Sequence, residues 1–150
     1  MPISKEEEQE LEKESYYLDQ IKHQLDAMLE QRDMFATAYS NVERATLSLK
    51  ALKDQKAGSE MLVPVGGECF VNAIISDTGK AVVGVGANIY QERDTDSALE
   101  ILSTRKEAIT TNLQNLERSI GELDAKGQEL SKRIQEKYAR AQEEPVMGAE

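Results

Sequence analysis

Apolar side chains recur at helical spacing over two long stretches of this chain, which enclose one short stretch where they run almost continuously. From about residue 4 to residue 57 there is no Gly, and no Pro after Pro2. Leu11, Leu18, Leu25, Arg32, Tyr39 and Thr46 fall on position a of a heptad, and Glu14, Ile21, Met28, Phe35, Val42 and Leu49 on position d. Sustained over about five heptads, this pattern predicts a coiled-coil helix. Gly58 followed by Ser59 reads as its stop. A second helix is predicted over 97–142, with Ser97 and Glu100 as a capping box and Leu99, Leu102, Ile109, Leu113, Leu116, Ile120, Leu123, Leu130 and Ile134 on its seam. Pro145 lies just beyond it, and 143–150 is predicted to be a flexible tail.

The arms are roughly 50 and 45 residues, or about 75 and 68 Å at 1.5 Å per residue. Arms of similar length about a compact insert suggest an antiparallel pair. Facing positions whose numbers sum to 148 set a against d throughout, so that Ile21 meets Gly127, Leu25 meets Leu123, Met28 meets Ile120 and Phe35 meets Leu113. Glu14, Arg32, Lys106 and Lys137 interrupt the stripe. Such charges either fix register or simply meet solvent in loosely paired arms.

The insert, about 61–92, divides into four extended runs: 61–65, 68–75, 80–85 and 87–92. β-branched residues dominate them, and Gly66-Gly67, Asp77-Thr78-Gly79 and Gly86 separate them. Pro64 cannot donate to a ladder, which puts the first run at an edge or bulge. Two hairpins of this size bury little alone, and their open edges invite pairing. The insert therefore calls for strands from other subunits. The residues expected to make that joint are Val63, Val65, Val71, Ala73, Ile75, Val83, Val85 and Ile89, with the inward face left open.

Charge narrows the functional choices. The net charge is −10 over 150 residues, with 31% charged side chains and no Trp. No arm is basic, so binding to a phosphate backbone lacks its driving force. The single Cys69 makes no internal disulfide, and a small buried side chain is its expected role. No apolar run is long enough to span a bilayer, and the first residues lack a signal-peptide core. "GVGANI" lacks the spacing and the Lys-Ser/Thr pair of a phosphate loop. His23, the only His, has no metal-ligand partner at suitable spacing. The carboxylates of "EEEQELEKE" read as a charged helix face, not as acid–base catalysts. No enzyme, cofactor or metal is expected. Near the chain ends Tyr16, Tyr17 and Tyr138 fall off the seam, and Ile3, Val146 and Met147 lie outside the regular heptads. Leu11 also lies near an end of the chain, on position a.

The stretch "SEMLVPVGGECFVNAIISDTGKAVVGVGANIY", set between two heptad arms, resembles the α class of the prefoldin (GimC) family. The LVPVG run, the F-V-x-A strand, the DT turn and the VGVGA run carry the likeness, and a second hairpin marks the α class. Glu68 stands where a small residue is more usual, and Asn88 where Gly is frequent. The resemblance implies a mainly α protein of one domain, 1–150, whose long antiparallel two-helix coiled coil is joined by two β-hairpins that contribute to a multi-subunit β-barrel platform. It also implies a cytoplasmic, ATP-independent chaperone subunit. Its partners would be β-class prefoldin subunits, in a hexamer of two α and four β chains. Unfolded polypeptides would be held at the coil tips, where Ile3, Leu11, Tyr16, Tyr17, Tyr138, Val146 and Met147 are the expected client-binding residues, and passed to a group II chaperonin. Nucleic acid and membrane are not expected partners. The alternative is a structural coiled-coil tether with the insert as an oligomerisation head.

Overall fold

A computed structural model describes residues 4–143. Two helices of 49 residues each, α1 (Lys5–Lys53) and α2 (Thr95–Glu143), flank four strands: β1 (Glu60–Gly66), β2 (Cys69–Ile74), β3 (Lys80–Gly86) and β4 (Ile89–Asp94). The strands form two separate antiparallel hairpins, β1–β2 and β3–β4, and no closed barrel exists among the described residues. The chain divides into two compact units. The terminal unit is Met1–Phe35 with Asn112–Glu150, and the central unit is Ala36–Thr111.

The helix ends are set by local chemistry. At the start of α1, Ser4 and Glu7 form a reciprocal capping box. Ser4 N–H donates to Glu7 Oε2 at 2.9 Å and Glu7 N–H to Ser4 Oγ at 3.2 Å. α1 stops at Lys53, earlier than the Gly58 stop suggests, because Gly58 serves the hairpin instead. At φ 90° it donates to Ile75 O at 2.7 Å, while Ile75 N–H donates to Ser59 O at 2.9 Å, which prolongs the β1–β2 ladder. The cap of α2 is Asp94, not Ser97. Asp94 accepts from Ser97 N–H at 2.8 Å and from Ser97 Oγ at 2.9 Å, so β4 turns directly into α2. These bonds, from the Ser97 backbone N–H foremost, hold the Asp94 carboxylate below its ordinary pKa, and the Ser4 N–H does the same for Glu7.

Both hairpins turn through two residues of positive φ: Gly67 (57°) and Glu68 (60°), then Ala87 (49°) and Asn88 (58°). That is the signature of a type I′ turn, whose twist matches the flanking strands. Each hairpin also shifts register beside the turn, between Pro64 and Gly66 and between Gly84 and Gly86. The two are built alike, with Val63, Val65, Gly66 and Phe70 answered 20 residues later by Val83, Val85, Gly86 and Tyr90.

In the central unit the second hairpin is tied to α2. Thr95, itself buried, donates its N–H to Gly79 O at 2.9 Å and its hydroxyl to Thr78 O at 3.0 Å. Arg105 donates to the Gly84 carbonyl. Across the helices, Lys106 pairs with Glu43 at 3.2 Å and sits 5.2 Å from the centre of the Tyr39 ring, a cation–π distance. Hydrogen bonding to Glu43, and then to Tyr39, raises the Lys106 pKa.

In the terminal unit Leu11, Ile21, Leu130 and Ile134 form one buried cluster, with Leu18, Leu25 and Leu123 packed against it. The seam Gly127 has a specific role there. A Cβ built on it would lie 3.1 Å from Ile21 Cγ2 and 4.0 Å from Leu18 Cδ1, so the missing side chain is the space Ile21 occupies. This is the facing pair that the sum of 148 assigns. The seam charges are paired as well. Arg133 donates to Glu14 Oε1 at 2.6 Å, and Lys137 reaches Glu14 Oε2 at 3.0 Å and Glu10 at 3.2 Å. Hydrogen bonding to Glu14 is the main cause of a raised Lys137 pKa. Arg32 differs: its ion pair is with the adjacent Asp33, at 3.4 Å.

Candidate functional site

A two-stranded hairpin presents two faces and two open edges, and strand alternation assigns each residue to a face. On β1–β2, cross-strand pairing puts Leu62, Pro64, Phe70 and Ile74 on one face, and Met61, Val63, Val71 and Ala73 on the other. On β3–β4, Val82, Gly84, Tyr90 and Glu92 share one face, while Ala81, Val83, Gln91 and Arg93 share the opposite one. Tyr90 Cε1 comes within 3.3 Å of a Cβ built on Gly84, so the ring covers the blank that the glycine leaves.

The faces differ in what they meet. Val83 is only 7% exposed, lining a groove with Ala45, Leu49 and Leu102 of the helices. Leu62, Phe70, Ile74, Val82 and Tyr90 are instead 59% to 69% exposed. Fully covering a side chain of this size contributes about 1.5–3 kcal/mol. Three such groups on one hairpin and two on the other, on strands too few to stand alone, leave each hairpin an apolar face that wants a cover.

The residues expected at the joint therefore separate. Val65, Val71, Val85 and Ile89 are exposed. Val63, Ala73 and Ile75 are half-buried. Val83 belongs to the interior of its own chain, because its face of β3 rests on the helices. Leu62, Phe70, Ile74, Val82 and Tyr90 lie outside the expected set, and of the expected residues Val65, at 60%, is as exposed as they are. Both faces of these strands are apolar, so alternation could not tell which one the helices cover. The 20-residue repeat was the available signal, since it puts Phe70 and Tyr90 at equivalent places. Cys69 is exposed, not buried, because it opens β2 directly after the Gly67-Glu68 turn.

Of the expected tip residues, Tyr16, Tyr17 and Tyr138 are exposed on the helices, at 67%, 52% and 49%. Leu11 is buried in the seam, where its a position takes precedence over its nearness to the chain end. Ile3, Val146 and Met147 lie outside the described residues, as does most of the expected tail. Among the described residues no cluster of His, Cys, Asp or Glu is suited to a metal ion, and no helix is long and apolar enough to cross a membrane.

Two helices of equal length, two alike hairpins between them and an exposed apolar strand face define a coiled-coil assembly subunit. Comparison with known proteins gives that class its family. A family model described as "Prefoldin subunit" matches residues 21–140, and the chain belongs to the prefoldin family. It is similar to the prefoldin α subunit of Pyrococcus horikoshii, at 33% identity over 83% of this chain and 89% of that one. The α subunit of Methanocorpusculum labreanum is 28% identical over 90% and 92% of the respective chains. Among solved structures, a chain of filamentous prefoldin from Methanocaldococcus jannaschii superposes with a TM-score of 0.67 at 27% identity, covering 77% of this chain and 96% of that chain.

Proposed function

We propose that this chain is the α-class subunit of a prefoldin chaperone. It joins β-class subunits through its hairpins, in a hexamer of two α and four β chains. In this reading the complex holds unfolded polypeptides at its helix ends without ATP, passes them to a group II chaperonin, and works in the cytoplasm. The observations that carry the reading are the exposed faces of the two hairpins, Leu62, Phe70 and Ile74 on one and Val82 and Tyr90 on the other, each with open edges. A surface of that kind is satisfied by added strands and by apolar cover from sibling subunits. The outward tyrosines of the terminal unit supply contacts for a non-native chain, each weak alone and gaining from several helix pairs acting together. The family relatives named as α subunits support the same assignment.

The test mixes the chain with a β-class prefoldin subunit and follows the light scattering of a chemically unfolded protein as it is diluted from denaturant. Suppressed aggregation in the absence of nucleotide is the expected result. Unimpeded aggregation alongside a stable oligomer would favour a tether.

A further inference from the structure

We infer that the two hairpins, alike in build, enter assembly differently. The second is a preformed part of the subunit, fastened to α2 by Thr95 and Arg105. The first takes its order from a partner, an uncharged apolar strand of a β-class subunit added along β2. This rests on the assembly reading above and names the surface that the partner completes.

The contrast starts with what holds each hairpin. On the second, Val83 is buried against the helices, Thr95 bonds to Gly79 and Thr78, and Arg105 donates to the Gly84 carbonyl. On the first, no residue from Met61 to Ile75 is buried. Among the described residues, no hydrogen bond or ion pair runs from either helix to that stretch. Its exposed apolar groups lie on both faces. Leu62, Phe70 and Ile74 are on one, and Met61 and Val71 are on the other, where Val63 and Ala73 reach half-burial. Two strands so little covered are marginal in water and open easily.

Charge differs in the same sense. Between Met61 and Ile75 the only charged side chain is Glu68, in the turn. The second hairpin carries Lys80, Glu92, Arg93 and Asp94, with Lys80 and Glu92 paired at 3.2 Å. The second hairpin is thus partly adapted to water, and the first to an uncharged apolar neighbour.

Backbone direction then selects the edge. Gly58 N–H donates to Ile75 O and Ile75 N–H to Ser59 O, which marks the base of the ladder. Bonded and non-bonded pairs alternate from there, so 61/73 and 63/71 bond each other, and the N–H and C=O groups of Phe70, Asn72 and Ile74 point out from β2. The outward set on β1 is Glu60, Leu62 and Pro64, and Pro64 has no N–H to offer. The 20-residue repeat makes Pro64 the counterpart of Gly84, whose outward carbonyl Arg105 already holds. Each hairpin closes its first strand at the same place, by a missing donor on β1 and by a helix side chain on β3. That leaves β2 as the complete edge of the loosely held hairpin.

The test is hydrogen–deuterium exchange of the full chain, alone at two concentrations and mixed with a β-class prefoldin subunit. In the chain alone, β1–β2 amides are expected to exchange about a hundredfold faster than β3–β4 amides. In the mixture, β1–β2 should slow by about a hundredfold and β3–β4 by less than about tenfold. Arg105→Ala should quicken β3–β4 exchange in the chain alone by about tenfold, with part of that recovered by Arg105→Lys and no response in β1–β2. Asn72→Pro deletes an outward N–H of β2 and none of the hairpin's own bonds. It should leave the chain alone unchanged and prevent the partner from protecting β1–β2. Equal exchange of the two hairpins in the chain alone would overturn the inference. So would β1–β2 protection that rises with the concentration of the chain by itself, which assigns the cover to a second copy. Full protection of β1–β2 in the Asn72→Pro mixture would overturn the choice of edge. No complex at all would overturn the assembly reading and the named partner with it, while the chain alone still decides whether the hairpins differ.

Discussion

Ile21 fills the space that Gly127 leaves on the facing helix, its Cγ2 3.1 Å from where a glycine-replacing Cβ would stand. That contact fixes the register of the terminal unit. It also makes the two helical glycines of α2 unequal, since nothing lies within 4 Å of a Cβ added at Gly121. Ala is favoured over Gly inside a helix by about 1 kcal/mol. Gly121→Ala should therefore raise the thermal midpoint. Gly127→Ala should lower it, because Ile21, 2% exposed, has little room to give way to the new methyl and overpacking costs roughly 1–3 kcal/mol. Ile21→Ala in the Gly127→Ala background should recover part of that loss, a coupling that a double-mutant cycle measures.

The hairpin tips hold non-glycine residues in left-handed backbone. Ala87 sits at φ 49° and Glu68 at φ 60°. A side chain there costs roughly 1–2 kcal/mol relative to Gly. Ala87→Gly should stabilise the second hairpin by about 1 kcal/mol, and Asn88→Val should destabilise it, since Asn tolerates this region and a β-branched residue does not. Thermal unfolding followed by circular dichroism, with amide exchange in β3 and β4, reads both effects.

The capping carboxylates give a pH dependence with a definite sign. Asp94 and Glu7 have pKa values lowered in the folded chain, by the backbone N–H of Ser97 and of Ser4 respectively. Their contribution is present above the ordinary carboxylate pKa, about 4, and is lost as pH falls through their lowered folded values. Lys137 and Lys106 run the other way. Their pKa values are raised by Glu14 and Glu43, so their contribution is complete below about pH 10 and is lost as pH rises through the raised values. The thermal midpoint should fall at both extremes. Asp94→Asn, which keeps a capping oxygen without a titrating carboxyl, should blunt the acid fall. An unaltered acid limb in that variant would remove Asp94 from the explanation.

Neighbouring residues of β3 should separate folding from assembly. Val83 is buried against the helices of its own chain, and Val82 is 68% exposed. Val83→Asp buries a charge and should cost about 3 kcal/mol or more of subunit stability. Val82→Asp should leave the isolated chain as stable as its parent and still prevent assembly with β-class subunits. Chemical denaturation and gel filtration, run on both variants, distinguish the two outcomes.

Much of this fold can be read from periodicity. The 3.5-residue stripe carries α1 and α2, and the a-to-d pairing of Ile21 with Gly127 follows from laying arms of like length against each other. The element ends were less legible, because competing local bonds decide them. Gly58 reads as a helix stop but is used by the hairpin, and Asp94 outcompetes Ser97 for the cap by already standing at the end of β4. The strand faces were the least legible. With Val, Ile, Leu or Phe at successive positions, alternation no longer marks an inside, so Val83 and Val82 look alike in sequence. Leu11 shows the same limit at the chain end, where proximity to the terminus suggests exposure and the heptad position brings burial.

Native mass spectrometry of the chain mixed with a β-class prefoldin subunit is the most direct test that the exposed strand faces join sibling subunits. A stable species containing two copies of this chain and four of the partner is expected, and it should be lost on Val82→Asp. Separate monomers of the two proteins, or a complex indifferent to that substitution, would contradict it.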